Sequence, residues 1–207
     1  MEKKKAIIAC CRSGHNFVRN QIESWTGETV INYEDLRPIN YTGNTVNIIV
    51  VRDLLNWWAS YLKWITKDGL DHHVCSEKQL NNAFSIWDDI TKEAFGITNY
   101  IPDKVIVNYD DFKKSQSYRI SICSMILGSY NESRLDEVVS AGGGSSFDYH
   151  KLLGTKLETD LRYNQIMKSD LKNLYLIMLM RNKQSIDIYT ECFELTRNQQ
   201  CLINIIL

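Results

Sequence analysis

Proline is nearly absent: Pro38 and Pro102 are the only two in 207 residues, so no proline-rich linker divides the chain. Long apolar runs are missing too. Nothing approaches the ~18 consecutive apolar residues of a membrane span. The brief AIIACC stretch after MEKKK is too short for a signal-peptide core and lacks a cleavage site. A cytoplasmic chain is therefore expected. An excess of either charge is also lacking, with 24 basic and 25 acidic residues and a net charge of −1. That balance gives no global attraction to nucleic acid or to an anionic membrane, so any anion site must be local. Six cysteines are present without a CxxC pair, and they read as reduced, mostly buried thiols. The one cluster of metal-ligating type, Asp71-His72-His73-Val74-Cys75, has no second cluster to complete it. No metal is expected.

What is present is an alternation of short apolar strands with helical stretches, the pattern of a parallel α/β sheet. Strands are read at Ala6–Cys11, Thr29–Tyr33, Val46–Val51 and Lys104–Asn108. Helices are read at Phe17–Trp25, from Leu54, at Glu77–Phe95, and from Tyr109 to a stop at Gly128 with Asp110 as cap. Two more, Leu157–Met180 and Gln184–Thr196, fill the remainder. Residues 1–207 are read as one domain. Leu54, Trp57, Trp58, Tyr61, Leu62 and Ile65 recur at steps of three and four, an aromatic stripe of core-packing type. The apolar tail Cys201–Leu207 is read as an edge strand or a helix end, packed internally or against a second copy, so a homodimer stays open.

Two constellations carry chemistry. In IIACCRSGHNF a strand breaks at Ser13-Gly14 and a helix follows. Amides at a helix start and the helix dipole favour an anion there. Arg12 adds a guanidinium fork, and Ser13 and Asn16 add side-chain donors. The turn has no lysine after the glycine and no hydroxyl to hold Mg²⁺; His15 and Asn16 stand at that end instead. The anion group is thus one whose transfer needs no magnesium. In VVRDLLNWWASY, Arg52 is the first residue past an apolar run, at the sheet edge where α/β ligands bind, and Ser60 follows eight residues on. A third feature, Ala141–Phe147 (AGGGSSF), reads as a loop or a backbone nest for an anion.

Together these residues resemble the sulfotransferases that use 3′-phosphoadenosine 5′-phosphosulfate (PAPS): the Arg-Ser-Gly turn, the buried strand ending in Arg-Asp, and the serine eight residues later. KVIVNYDDF is similar to the family's strand that ends in a Tyr-acid-acid-apolar run. The resemblance implies an α/β, three-layer, P-loop-NTPase-like fold with a central parallel sheet flanked by helices. It implies that Arg12, Ser13, Gly14, His15, Asn16 and Phe17 take the 5′ end of PAPS and that Arg52 and Ser60 take the 3′-phosphate. GGGSSFD with the following Leu161-Arg162-Tyr163 implies that Ser145, Ser146 and Arg162 close over the nucleotide. The family's RKG-type loop and the second threonine of its usual turn are absent.

As chemistry, the resemblance implies sulfuryl transfer to a hydroxyl or amine, with Arg12 stabilising the leaving 5′-phosphate. Glu34 would be the base that accepts the acceptor's proton, with Asp35, His72 and His73 as alternatives. The acceptor is not legible; eighteen residues between Tyr33 and Arg52 leave a short wall, which fits a bulky glycan or peptide as well as a small molecule. Two other classes stay open, a nucleotide or metabolite kinase on the same architecture and a non-catalytic nucleotide-binding protein.

Overall fold

The computed structural model describes residues 4–36, 45–66, 76–132 and 162–207. Ser145, Ser146, the Ala141–Phe147 stretch, His72, His73 and Cys75 lie outside them.

Four strands form the sheet: β1 (Lys4–Ala9), β2 (Ile31–Tyr33), β3 (Thr45–Val51) and β4 (Lys104–Asn108). Their order is β2-β1-β3-β4 and every pairing is parallel. Ile8 lies opposite both Tyr33 and Ile49, and Ile49 opposite Ile106. Continuous apolar runs are what a sheet covered on both faces requires. Successive residues divide between those faces: Ile8, Cys10, Ile49 and Val51 enter one core, and Ile7, Ala9, Ile48, Val50 and Val107 the other.

The second of these cores is closed by α1 (His15–Thr26), α4 (Tyr109–Lys114) and α5 (Gln116–Met125). The first is closed by α2 (Leu54–Ile65), α3 (Glu77–Ala94), α6 (Arg162–Ile166), α7 (Lys172–Arg181), α8 (Lys183–Cys192) and α9 (Arg197–Ile206). The result is the expected three-layer α/β architecture with a parallel sheet at its centre. Trp57 and Trp58 are fully buried in that first core, so the aromatic stripe of α2 is packing.

Three expectations change. The helix from Tyr109 is two helices, because Ser115 ends α4 and its hydroxyl then accepts the Tyr118 amide to start α5. The cap of α4 is Asn108, whose side chain accepts the Asp110 amide at 3.0 Å, rather than Asp110 itself. The described part of the helix read at Leu157–Met180 is two helices, α6 and α7, while the tail Cys201–Leu207 takes the helix-end alternative in α9, opened by a capping box between Thr196 and Gln199. No described helix is long and apolar enough to cross a membrane.

Candidate functional site

The order in which strands are added switches sides at β1: β1 leads through α1 to β2 on one side, whereas β3 lies on the other, all strands running parallel. Ligands of open parallel sheets bind at the carboxyl edge beside such a switch. The Arg12 turn follows β1 and Arg52 follows β3, so both constellations reach this one edge.

The turn is held by its backbone and by α2. The Ser13 amide donates to the Cys10 carbonyl at 3.1 Å, and the Phe17 amide to the Gly14 carbonyl at 3.0 Å. Gly14 caps α1 in the left-handed region with φ of 88°, and no side chain caps the helix start. A Cβ on Gly14 would stand 2.2 Å from the Tyr109 ring; backbone and neighbour both demand glycine there. Arg12 itself has φ of 69°, unusual for a residue with a side chain. The Trp57 indole N–H donates to the Cys11 carbonyl at 2.8 Å, and Arg52 Nη1 to the Arg12 carbonyl at 3.3 Å. The two sequence motifs are thus in direct contact.

Arg52 is 2 % exposed, and its guanidinium lies over the Tyr109 ring, 5.0 Å from the centroid. Arg12 lies toward Trp64 at the far end of α2, at 5.9 Å. The Arg12 guanidinium is held below its ordinary pKa by burial first and by neighbouring Arg52 as well. Two cations this close to a helix start form a place where negative charge is stabilised.

Asp53, Asn56 and Ser60 follow one another on α2 at steps of three and four, beside a stripe of Trp57, Tyr61 and Trp64. Asp53 caps the helix by accepting the Asn56 amide at 3.0 Å. Ser60, 1 % exposed, accepts a hydrogen bond from Arg162 Nη1 at 2.8 Å. Two residues separated by 101 intervening positions, singled out separately from sequence, therefore meet.

Glu34 stands just past β2, its side chain 55 % exposed, with Oε1 3.4 Å from His15 Nε2. His15 is buried and its Nδ1 is 3.5 Å from Ser13 Oγ. The His15 contact holds the Glu34 carboxyl below its ordinary value, and Arg12 adds to the effect against partial burial. The Cys11 thiol, also beside the turn, is pushed up to about 11 by burial and then by Glu34, and stays neutral.

Phe17 departs from the rest of its stretch. Its ring lies in the second core, edge-on to Tyr109 and Phe112 at 6.2 Å each, and its amide is bound to Gly14. Sequence reading missed Tyr109 as the surface under Arg52, Trp57 as the tether of the turn, and Asn56. The one available signal was the indole nitrogen of a tryptophan expected in the core, which needs a polar partner. Among the described residues no group of three His, Cys, Asp or Glu side chains has the arrangement of a metal site.

No family model matches the chain, and no curated protein matches it in sequence. Its fold is similar to that of mouse sulfotransferase SULT7A1, whose crystal structure is complexed with PAP. The TM-score is 0.56 at 10 % identity, over 99 % of this chain and 90 % of that one. The fold is therefore α/β with an all-parallel central sheet flanked by helices, consistent with the P-loop-like fold of sulfotransferases. At that identity the likeness defines architecture alone.

Proposed function

We propose that this protein is a sulfotransferase that takes PAPS as donor and passes its sulfuryl group to a hydroxyl or amine acceptor. The observation that carries the reading is the contact of buried Arg52 with half-buried Arg12 at the switch edge, Arg52 Nη1 on the Arg12 carbonyl at 3.3 Å, with Ser60 and Arg162 joined at 2.8 Å. A ligand with separate 5′ and 3′ anionic groups matches such a divided cationic edge. The mouse sulfotransferase of similar fold is complexed with PAP.

The residues fit the donor. The glycine at position 14 leaves no room for a side chain beside the Tyr109 ring and sets the tight turn at the start of α1. Arg12, Ser13, Gly14, His15 and Asn16 would hold the 5′ anion, with Phe17 contributing through the core. Arg52, Ser60 and Arg162 would hold the 3′-phosphate. PAPS supplies a sulfuryl group already activated by its bond to the 5′-phosphate. Arg12 would stabilise negative charge at the departing phosphate. Arginine keeps its proton at any working pH, so the role is electrostatic. Glu34, exposed and ionised, would accept the acceptor's proton, with buried His15 fixing its orientation.

Thermal shift tests the reading. Adenosine 3′,5′-bisphosphate at a hundredfold its Kd should raise stability by ~2.7 kcal/mol, with smaller effects from 5′-ADP and from ATP with Mg²⁺. Stabilisation by ATP with Mg²⁺ alone would replace the reading with a kinase. Bisphosphate binding with no sulfuryl transfer to any acceptor in a broad panel would leave a non-catalytic nucleotide-binding protein.

A further inference from the structure

We infer that Asn56 is a positioning residue that ties Arg162 to the Arg52 end of the site, and through it sets the preference for a 3′-phosphate. The inference rests on the donor reading above. Asn56 is 2 % exposed on the polar stripe of α2, one turn before Ser60. Both ends of its carboxamide are engaged. Nδ2 donates to Asp53 Oδ2 at 2.8 Å, while Oδ1 accepts the Arg162 amide at 2.9 Å and the Tyr163 amide at 3.3 Å.

The geometry assigns distinct jobs to the two ends. Asp53 directly follows Arg52 and caps α2, so the Nδ2 bond fixes the carboxamide relative to the residue that carries Arg52. Helix α6 is described from Arg162 to Ile166. The Asn56 oxygen, on α2, supplies an acceptor for the Arg162 and Tyr163 amides from outside that helix. With its backbone held there, Arg162 extends its guanidinium to Ser60, one turn further along α2, at 2.8 Å. Residues 52, 53, 56, 60 and 162 thus form one chain of contacts from the end of β3 to the start of α6. A side chain lacking either the donor or the acceptor would break it. Asparagine carries both on one planar group.

Asp110, at the start of α4, lies near Asp53; burial first and that carboxylate next push the Asp110 carboxyl up to about 7. The groups that face Asp110 are Asp53, Arg52 and Lys114. Asn56 is neutral, so it adds no charge to this group while holding Asp53 in place.

The experiment combines hydrogen exchange with titration of adenosine 3′,5′-bisphosphate and of 5′-AMP. In Asn56→Ala the amides of Arg162 and Tyr163 lose protection, the bisphosphate binds about tenfold more weakly, and 5′-AMP affinity is unchanged. Asn56→Asp, which loses the donor and sets a second carboxylate against Asp53, also loses the protection and the bisphosphate affinity. Asn56→Ala/Arg162→Ala binds no more weakly than Arg162→Ala alone, as required of a residue that acts through Arg162. Should Asn56→Ala fail to fold, Asn56→Ser, too short to reach α6, takes its place. Unchanged protection of the two amides, equal losses for both nucleotides, or a further loss in the double variant would each overturn the inference. A wild-type protein that binds both nucleotides equally would overturn the donor reading and the purpose assigned to Asn56. The exchange result would still decide, separately, whether Asn56 holds α6.

Discussion

Arg12 and Glu34 both lie beside the turn, close enough for the cation to lower the Glu34 carboxyl, and the proposed reaction gives them separable duties. In the proposed reaction Arg12 would stabilise developing negative charge, so Arg12→Ala should lower the turnover of PAPS by ~10²–10³. Glu34 would accept a proton, so Glu34→Gln should lower it by ~10²–10⁴ while leaving nucleotide affinity nearly unchanged. Release of 3′,5′-bisphosphate from PAPS, followed chromatographically, measures both. His15 holds the Glu34 carboxyl below its ordinary value of 4.5. The wild-type rate should therefore hold down through the usual carboxylate range and fall only below it, and this limb should vanish in Glu34→Gln. Residues at this scale were legible where a local pattern announced them: Arg12 at a strand-turn-helix junction, Arg52 at the end of an apolar run. Tyr109 was not, since nothing in YDDF reveals that its ring lies 2.2 Å from where a Gly14 Cβ would be.

Elements were legible in proportion to their apolar continuity. VNIIVV and KVIVN mark strands because a sheet covered on both faces needs uninterrupted apolar runs. The break at Asn182 falls between the two C-terminal helices read from sequence, and Thr196 at the end of the second, but α6 and α7 were merged because neither glycine nor proline stands between Ile166 and Lys172. Helix packing there includes a buried acid. Asp88 of α3, 6 % exposed, accepts a hydrogen bond from Ser185 of α8. Burial pushes its carboxyl up to about 6, from an ordinary 3.8. A raised folded-state value means that the folded protein binds the proton more tightly. Its contribution is favourable at low pH and is lost as the pH rises from about 4 through about 6. Asp88→Asn should remove this dependence and stabilise the protein at pH 7 by ~1–3 kcal/mol. Denaturant melts of both proteins between pH 4 and pH 7 measure it. A wild-type stability that rises over that interval relative to the variant would contradict the assignment.

Across the whole molecule, the switch between β1 and β3 turns separate motifs into one edge. Arg12 and Arg52 touch only because β1 and β3 are neighbours, with α1 and β2 returning on the far side. Ser60 and Arg162 meet only because α6 packs on α2. No local pattern contains that second meeting, and it became visible only with the fold. The central claim is that this edge reads a 3′-phosphate through Arg52. Calorimetric titration of adenosine 3′,5′-bisphosphate and 5′-AMP into wild type and Arg52→Gln tests it most directly. The glutamine keeps a stem against Tyr109 but removes the charge. A loss of ~10–100-fold is expected for the bisphosphate, the size of a charge-assisted contact, and almost none for 5′-AMP. Equal losses for the two nucleotides, or a wild-type protein indifferent to the 3′-phosphate, would contradict it.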